Sequence, residues 1–179
     1  MTKQIDSNIV ATAFDNVFEF NDIAMQFDQP KLAGIDLQLN LIWEEFAMET
    51  LPAFEKGCNS VEYRLGTAEE NKYATELLDG AVDTFVVVAG LLQKLQHHGM
   101  DVNAALLRVT ENNLEKFTKK AEHVWADKNG YEVVWNEKYG CFSYRDDNGK
   151  LRKSPEYKSV ELTDLIPNSF FKEQVCANQ

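Results

Sequence analysis

The stretch ELLDGAVDTFVVVAG, residues 76–90, decides how this chain is read. Successive residues of an α-helix turn by about 100°, so Glu76, Asp79 and Asp83 fall within an arc of about 60°. The rest of that wheel is apolar: Leu77, Leu78, Ala81, Val82, Phe85, Val88 and Ala89. A helix apolar nearly all round is expected inside a packed protein. Three aligned carboxylates on such a helix need a cause, because buried charge is costly unless it is paired or bound to a metal.

Outward from this stretch, apolar spacing at Ile9, Ala13, Val17, Phe20, Ala24 and Phe27 predicts a first helix from about residue 8 to 27. DQPKLAGID, residues 28–36, reads as a loop punctuated by Pro30 and Gly34. A second helix is expected from Asp36, its N-cap, to Thr50 or beyond, with Pro52 kinking or ending it. A polar connection follows, then a third helix over about 68–97 that stops at His98–Gly99. Asp101 can cap a fourth helix running to about Trp125. Past Gly130 the β-branched and aromatic run, with a turn at Asp147–Asn148–Gly149, predicts a small hairpin or meander. The expected fold is mainly α: a four-helix bundle with a small C-terminal β-hairpin. It forms one domain over 1–179, with a helical core at 8–126 and the hairpin and an extended arm at 130–165. Trp43, Phe46 and Trp125 are assigned to the core.

The 179 residues, 44% of them apolar, suit a single packed domain. A net charge of −11 argues against a nucleic-acid partner, which needs a basic footprint. It permits a nucleotide if divalent cations neutralise some carboxylates. Cys58, Cys141 and Cys176 show no metal-ligand spacing and read as free thiols of a reducing cytosol. No signal peptide is visible, and no run approaches the roughly 18–20 apolar residues of a membrane span. A cytoplasmic protein without a membrane partner is therefore expected.

The second helix carries its own acids in LNLIWEEFAMET, residues 39–50, where Glu45 and Glu49 lie about 40° apart. If its face meets that of residues 76–90, Glu45, Glu49, Glu76 and Asp79 converge. Four such carboxylates cannot all stay ionised unaided. An oxygen-rich cluster suits Mg²⁺ or Mn²⁺, and facing helices of a bundle are a place to build one. Taken singly, Glu44, Glu49 or Asp83 also fits a solvated acid on an exposed face. The pattern on two helices is what points to a cation.

LIWEEFAMET followed by ELLDGAVDTFVVVAG resembles the all-α nucleoside triphosphate pyrophosphohydrolases. More narrowly it resembles their MazG-like branch, which includes the phosphoribosyl-ATP pyrophosphohydrolase-like proteins. That family carries EExxE on one helix and ExxD on the next, often with a later Asp and an apolar run ending in Gly. Here those positions are Glu44, Glu45, Glu76, Asp79, Asp83 and Gly90. NVFEFNDIAMQFD (16–28) is similar to the family's opening helix. TENNLEKF (110–117) is similar to its Asn-x-x-Lys segment, and DDNGKLRKSPEY (146–157) to its Gly-Lys…Lys-x-Pro tail. The match spans roughly residues 14–165. One position departs: EExxE would place an acid at 48, where this chain has Met48 followed by Glu49. That displacement turns the carboxylate by about 100° and moves it about 1.5 Å along the axis. A residue at i+4 still shares a face with Glu45.

The resemblance implies cleavage between the α- and β-phosphates of a nucleoside triphosphate, giving the monophosphate and pyrophosphate. Mg²⁺ is the implied cofactor, with Mn²⁺ able to substitute. Glu45, Glu49, Glu76 and Asp79 are then the metal ligands. Glu44 positions the reacting water or binds a further ion, Glu45 counts with it as catalytic, and Asp83 orients a ligand from behind. Asn113, Lys116 and Lys120 span about 60° of the fourth helix and are the expected phosphate contacts. Lys150 and Lys153 join them from a segment able to close over a site. The basic run of the fourth helix also reads as a solvated patch near a helix C-terminus, Lys150 and Lys153 equally as surface lysines, and His97 and His98 as partners of a helix-end dipole rather than zinc ligands. Self-association to a homodimer or homotetramer is implied, and the broad apolar surface of residues 76–90 invites it. Two alternatives stay open: hydrolysis of phosphoribosyl-ATP, and a non-catalytic helical protein that binds nucleotide or metal, for which Met48 is the motive.

Overall fold

Asp6 starts the first helix by accepting a hydrogen bond from the Asn8 amide at 2.8 Å, as an N-cap should. The computed structural model describes residues 4–59, 68–168 and 170–171; Cys176 lies outside them. The chain is mainly helical, with a small three-stranded antiparallel sheet towards its C-terminus. It divides into two compact units, Met1–Met100 with Pro167–Gln179, and Asp101–Ile166.

The first unit contains α1 (Ser7–Ile23), a 3₁₀ turn (Gln26–Asp28), α2 (Lys31–Trp43), a π-helical turn (Glu44–Thr50), α3 (Leu51–Asn59) and α4 (Ala68–His97). The other helical segments pack on α4. Their buried positions are Val17 and Asn21 on α1, Gly34 and Gln38 on α2, then Thr50 and Ala53. Against them α4 sets Gly80, Ala89, Gly90 and Lys94. Gly80 lets the chains close up: a Cβ there would lie 2.6 Å from Thr50 Oγ1 and 3.2 Å from Thr50 Cα.

Several boundaries differ from expectation. The first helix stops at Ile23, because Met25 takes a left-handed conformation (φ 53°) and turns the chain. The second begins at Lys31 rather than Asp36, directly after Pro30, whose ring is compatible with a helix start. Gly34 is therefore helical, and the Lys94 ammonium lies beside it, donating to its carbonyl at 3.1 Å. Pro52 does not end the helix; the chain passes it by widening into the π turn. The third helix ends as expected at His97, with Gly99 at φ 92°. It is not buried all round: Leu78 and Val82 are exposed. Trp43 and Phe46, expected in the core, are exposed too, at 68% and 52%.

The second unit contains α5 (Val102–Leu114), α6 (His123–Asn129), β1 (Glu132–Asn136), β2 (Cys141–Arg145), β3 (Leu151–Arg152) and a 3₁₀ turn (Thr163–Leu165). Asp101 caps α5 through the Ala104 amide at 2.9 Å. The helix expected to continue to Trp125 stops at Leu114, because Thr118 leaves it to exchange backbone hydrogen bonds with Phe142 at 3.0 and 2.7 Å. The fully buried Tyr144 holds the connection, its hydroxyl accepting from the Glu122 amide at 3.0 Å. Trp125 packs edge-on against Tyr131 and Tyr144, as a core residue would. The strands run in the order β1-β2-β3, with Asp146 to Lys150 turning the second hairpin near the predicted Asn148–Gly149.

Candidate carboxylate site

Glu45 stands where the π turn faces α4. Burial pushes its carboxyl above the ordinary range, and the charges of Glu49, Asp83, Glu44 and Asp79 push it the same way. Glu44, Glu45 and Glu49 sit on the π turn, and Asp79 and Asp83 lie one helical turn apart on α4, so two segments about 30 residues apart in sequence supply one field. Glu45 and Asp83 are half-buried, and Glu44, Glu49 and Asp79 are exposed. Thr50 anchors the turn from inside: its hydroxyl donates to the Glu45 carbonyl at 2.7 Å and lies 3.4 Å from the Thr84 hydroxyl.

Glu76 is placed differently from its expected partners. It forms a surface ion pair with Lys72 at 3.7 Å, one helical turn back. Among the described residues, no group of three or more His, Cys, Asp or Glu side chains is gathered closely enough to hold a metal ion. The donor set nevertheless matches a hard cation in kind, since it is all carboxylate oxygen and its mutual repulsion is what bound positive charge relieves.

The expected phosphate contacts all lie in the second unit. Asn113 is on α5 and Lys116 just past its end, where the ammonium donates to Asn113 Oδ1 at 2.7 Å. Lys120 is not on their helix and pairs with Glu122 at 3.2 Å. Lys153 lies over the Tyr157 ring, 4.7 Å from its centre, and Lys150 is exposed at the hairpin turn. His97 packs on Phe27 and His98 (5.1 and 5.0 Å between ring centres), an aromatic contact and not a metal pair.

A buried polar seam further along α4 was not anticipated. Gln38 donates to the Val87 carbonyl at 2.8 Å, Asn21 to Gln93 at 3.2 Å, and Gln93 to the Phe14 carbonyl at 2.9 Å. Lys94, 1% exposed, donates to the Gly34 carbonyl at 3.1 Å and to Gln26 Oε1 at 3.2 Å. The available signal was glycine inside a helix, which marks close approach. A Cβ on Gly90 would stand 2.9 Å from Gln38 Nε2. A separate cavity of about 210 Å³ between α3 and α4 is apolar, with Phe54, Cys58, Tyr73 and Leu77 in its wall.

Among the described residues no helix is long and apolar enough to cross a membrane. No family model, curated protein or solved structure matches the chain.

Proposed function

We propose that the protein is a metal-dependent nucleotide pyrophosphohydrolase, cleaving a nucleoside or deoxynucleoside triphosphate to the monophosphate and pyrophosphate. The observation that carries this reading is that Glu49, Asp83, Glu44 and Asp79 all press like charge on the half-buried Glu45. The likeness of EEFAME and ELLDGAVD to the EExxE and ExxD motifs supports it, as does a helical first unit compatible with a bundle of that type. In this reading Glu45, Glu49 and Asp79 would hold Mg²⁺ or Mn²⁺. Glu76 joins them by leaving Lys72, at little cost because an exposed pair contributes little. Bound cation would neutralise the triphosphate and lower the pKa of water. Glu44 orients the attacking water and Asp83 steadies Asp79 from one turn away. Water would attack the α-phosphorus in line, forming the new P–O bond of the monophosphate as the α–β bridging P–O bond breaks; that oxygen would leave with pyrophosphate and the water's proton would pass to solvent.

The exposed Phe20, Ile23, Leu39, Trp43, Phe46, Leu78 and Val82 give the first unit apolar surface that supports self-association. The test is pyrophosphate release over a panel of nucleotides that includes phosphoribosyl-ATP, with Mg²⁺ and with Mn²⁺. Turnover that is lost in Glu45→Gln is the expected result. No turnover with any nucleotide would end the reading.

A further inference from the structure

The turn at Glu44–Thr50 is wider than the helices on either side of it. Leu51 donates its amide to the Phe46 carbonyl, five residues back, whereas Glu44 still bonds Asn40, four back. Such π turns inside α-helices are rare and arise where one extra residue must be absorbed. The spacing of the buried residues shows that this chain has one to absorb. Gly34, Gln38, Thr50 and Ala53 all meet α4: at Lys94, at Val87, at Gly80 and Thr84, and at the cavity wall with Leu77. In an unbroken α-helix, Ala53 would stand about 100° round from Gly34, and Thr50 about 120° round from Gln38. With one residue removed from the count, those angles fall to about 0° and about 20°.

We propose that the π turn takes up a single inserted residue, Met48, so that α2 and α3 both keep their faces on α4 while Glu49 stays beside Glu45. Three neighbours fit this device. Met48 is 64% exposed. Gly80 leaves room for the bulge, since a Cβ there would clash with the Thr50 hydroxyl at 2.6 Å and crowd its Cα at 3.2 Å. Thr50 gives the Glu45 carbonyl a hydroxyl donor inside the widened turn. Pro52 is tolerated for the same reason: it lacks an amide hydrogen, and in a regular helix its ring would press on the carbonyl of Met48. The insertion also accounts for the departure from EExxE, because deleting Met48 leaves EEFAET, which restores that spacing.

The experiment deletes Met48 in the Pro52→Ala background, which removes the clash that a straightened helix would meet. The matched control deletes Val82, an exposed residue of α4 where no π turn exists, in the same background. Loss of Met48 is expected to leave the melting temperature within about 4 °C of the parent, and loss of Val82 to lower it by more than about 10 °C or prevent folding. Equal damage from the two deletions would overturn the proposal. The placement of Glu49 rests on the proposed cation site and is read separately, by calorimetric titration with Mn²⁺. Affinity within about threefold of the parent is expected after Met48 is deleted, and a loss beyond about tenfold in a folded protein would overturn that placement. If the parent itself takes up no Mn²⁺, the hydrolase reading fails while the melting comparison still decides the insertion.

Discussion

Lys94 and Glu45 are both charged groups on the α4 seam of the first unit, and the protein treats them in opposite ways. Lys94 is nearly wholly buried, yet its acceptors are a backbone carbonyl and an amide oxygen, so fixed dipoles replace its water. Burial lowers its pKa, and nothing about it calls for a ligand. Glu45 is less buried but stands among Glu49, Asp83, Glu44 and Asp79, all of its own sign. The first arrangement is closed and holds helices together. The second is left in repulsion, which natural structures keep where binding relieves it. Burial alone therefore does not mark a site; the sign of the surrounding charge does.

The largest test of this contrast is Lys94→Ala. It removes a packed stem and leaves the Gly34 carbonyl and Gln26 amide without their donor, at a cost of about 3–5 kcal/mol in urea unfolding. A loss under about 1 kcal/mol would mean that the seam repacks or hydrates, and the two groups would no longer differ in kind. Next comes Gly80→Ala, which forces a methyl against the Thr50 hydroxyl and crowds its backbone, and should cost about 1–3 kcal/mol. Double substitution with Met48 deleted should recover most of that cost if the bulge is what crowds Gly80.

The smallest effect has the opposite sign. Glu45→Gln should raise the melting temperature by a few degrees at pH 7. Because the folded-state pKa of Glu45 lies above 4.5, the folded chain holds this proton more tightly than the unfolded chain does. Its contribution to stability is thus fully present below the unfolded pKa and lost as pH rises through the folded one. Melting curves should show the substitution's gain vanish below about pH 4. A second measurement sharpens the comparison: Mn²⁺ should stabilise the parent and not Glu45→Gln, as ligand linkage requires. Equal stabilisation of both would place the cation elsewhere.

Much of the helical order was legible from local rules. Asp101 caps α5 through a short side-chain bond, Gly99 ends α4, and Asn148–Gly149 turns a hairpin. Periodicity also put Glu45 and Glu49 on one face and aligned Asp79 with Asp83. What it mistook was competition between partners. Thr118 follows Phe142 into a backbone pair and cuts the fourth helix short, which no window of neighbouring residues reveals. Trp43 and Phe46 were expected inside because apolar residues usually are, but the helix wheel does not say how many faces have neighbours. Glu76 aligns with Asp79 on the wheel yet reaches back to Lys72, since a long side chain can satisfy itself locally.

The sequence by itself determined the supply: which segments become helices, how they are capped, and that acids recur on two of them at helical spacing. These depend on neighbours three or four residues away, so they are written locally. Only the tertiary structure decided the phase between α2 and α3. Met48 is one residue too many for a straight helix facing α4, and packing at Gly34, Gln38, Thr50 and Ala53 makes the π turn absorb it. That same packing sets Glu45 in the field of Asp79 and Asp83, and Lys94 against neutral oxygens. The energy of a charge depends on what folding places beside it, which lies tens of residues away along the chain.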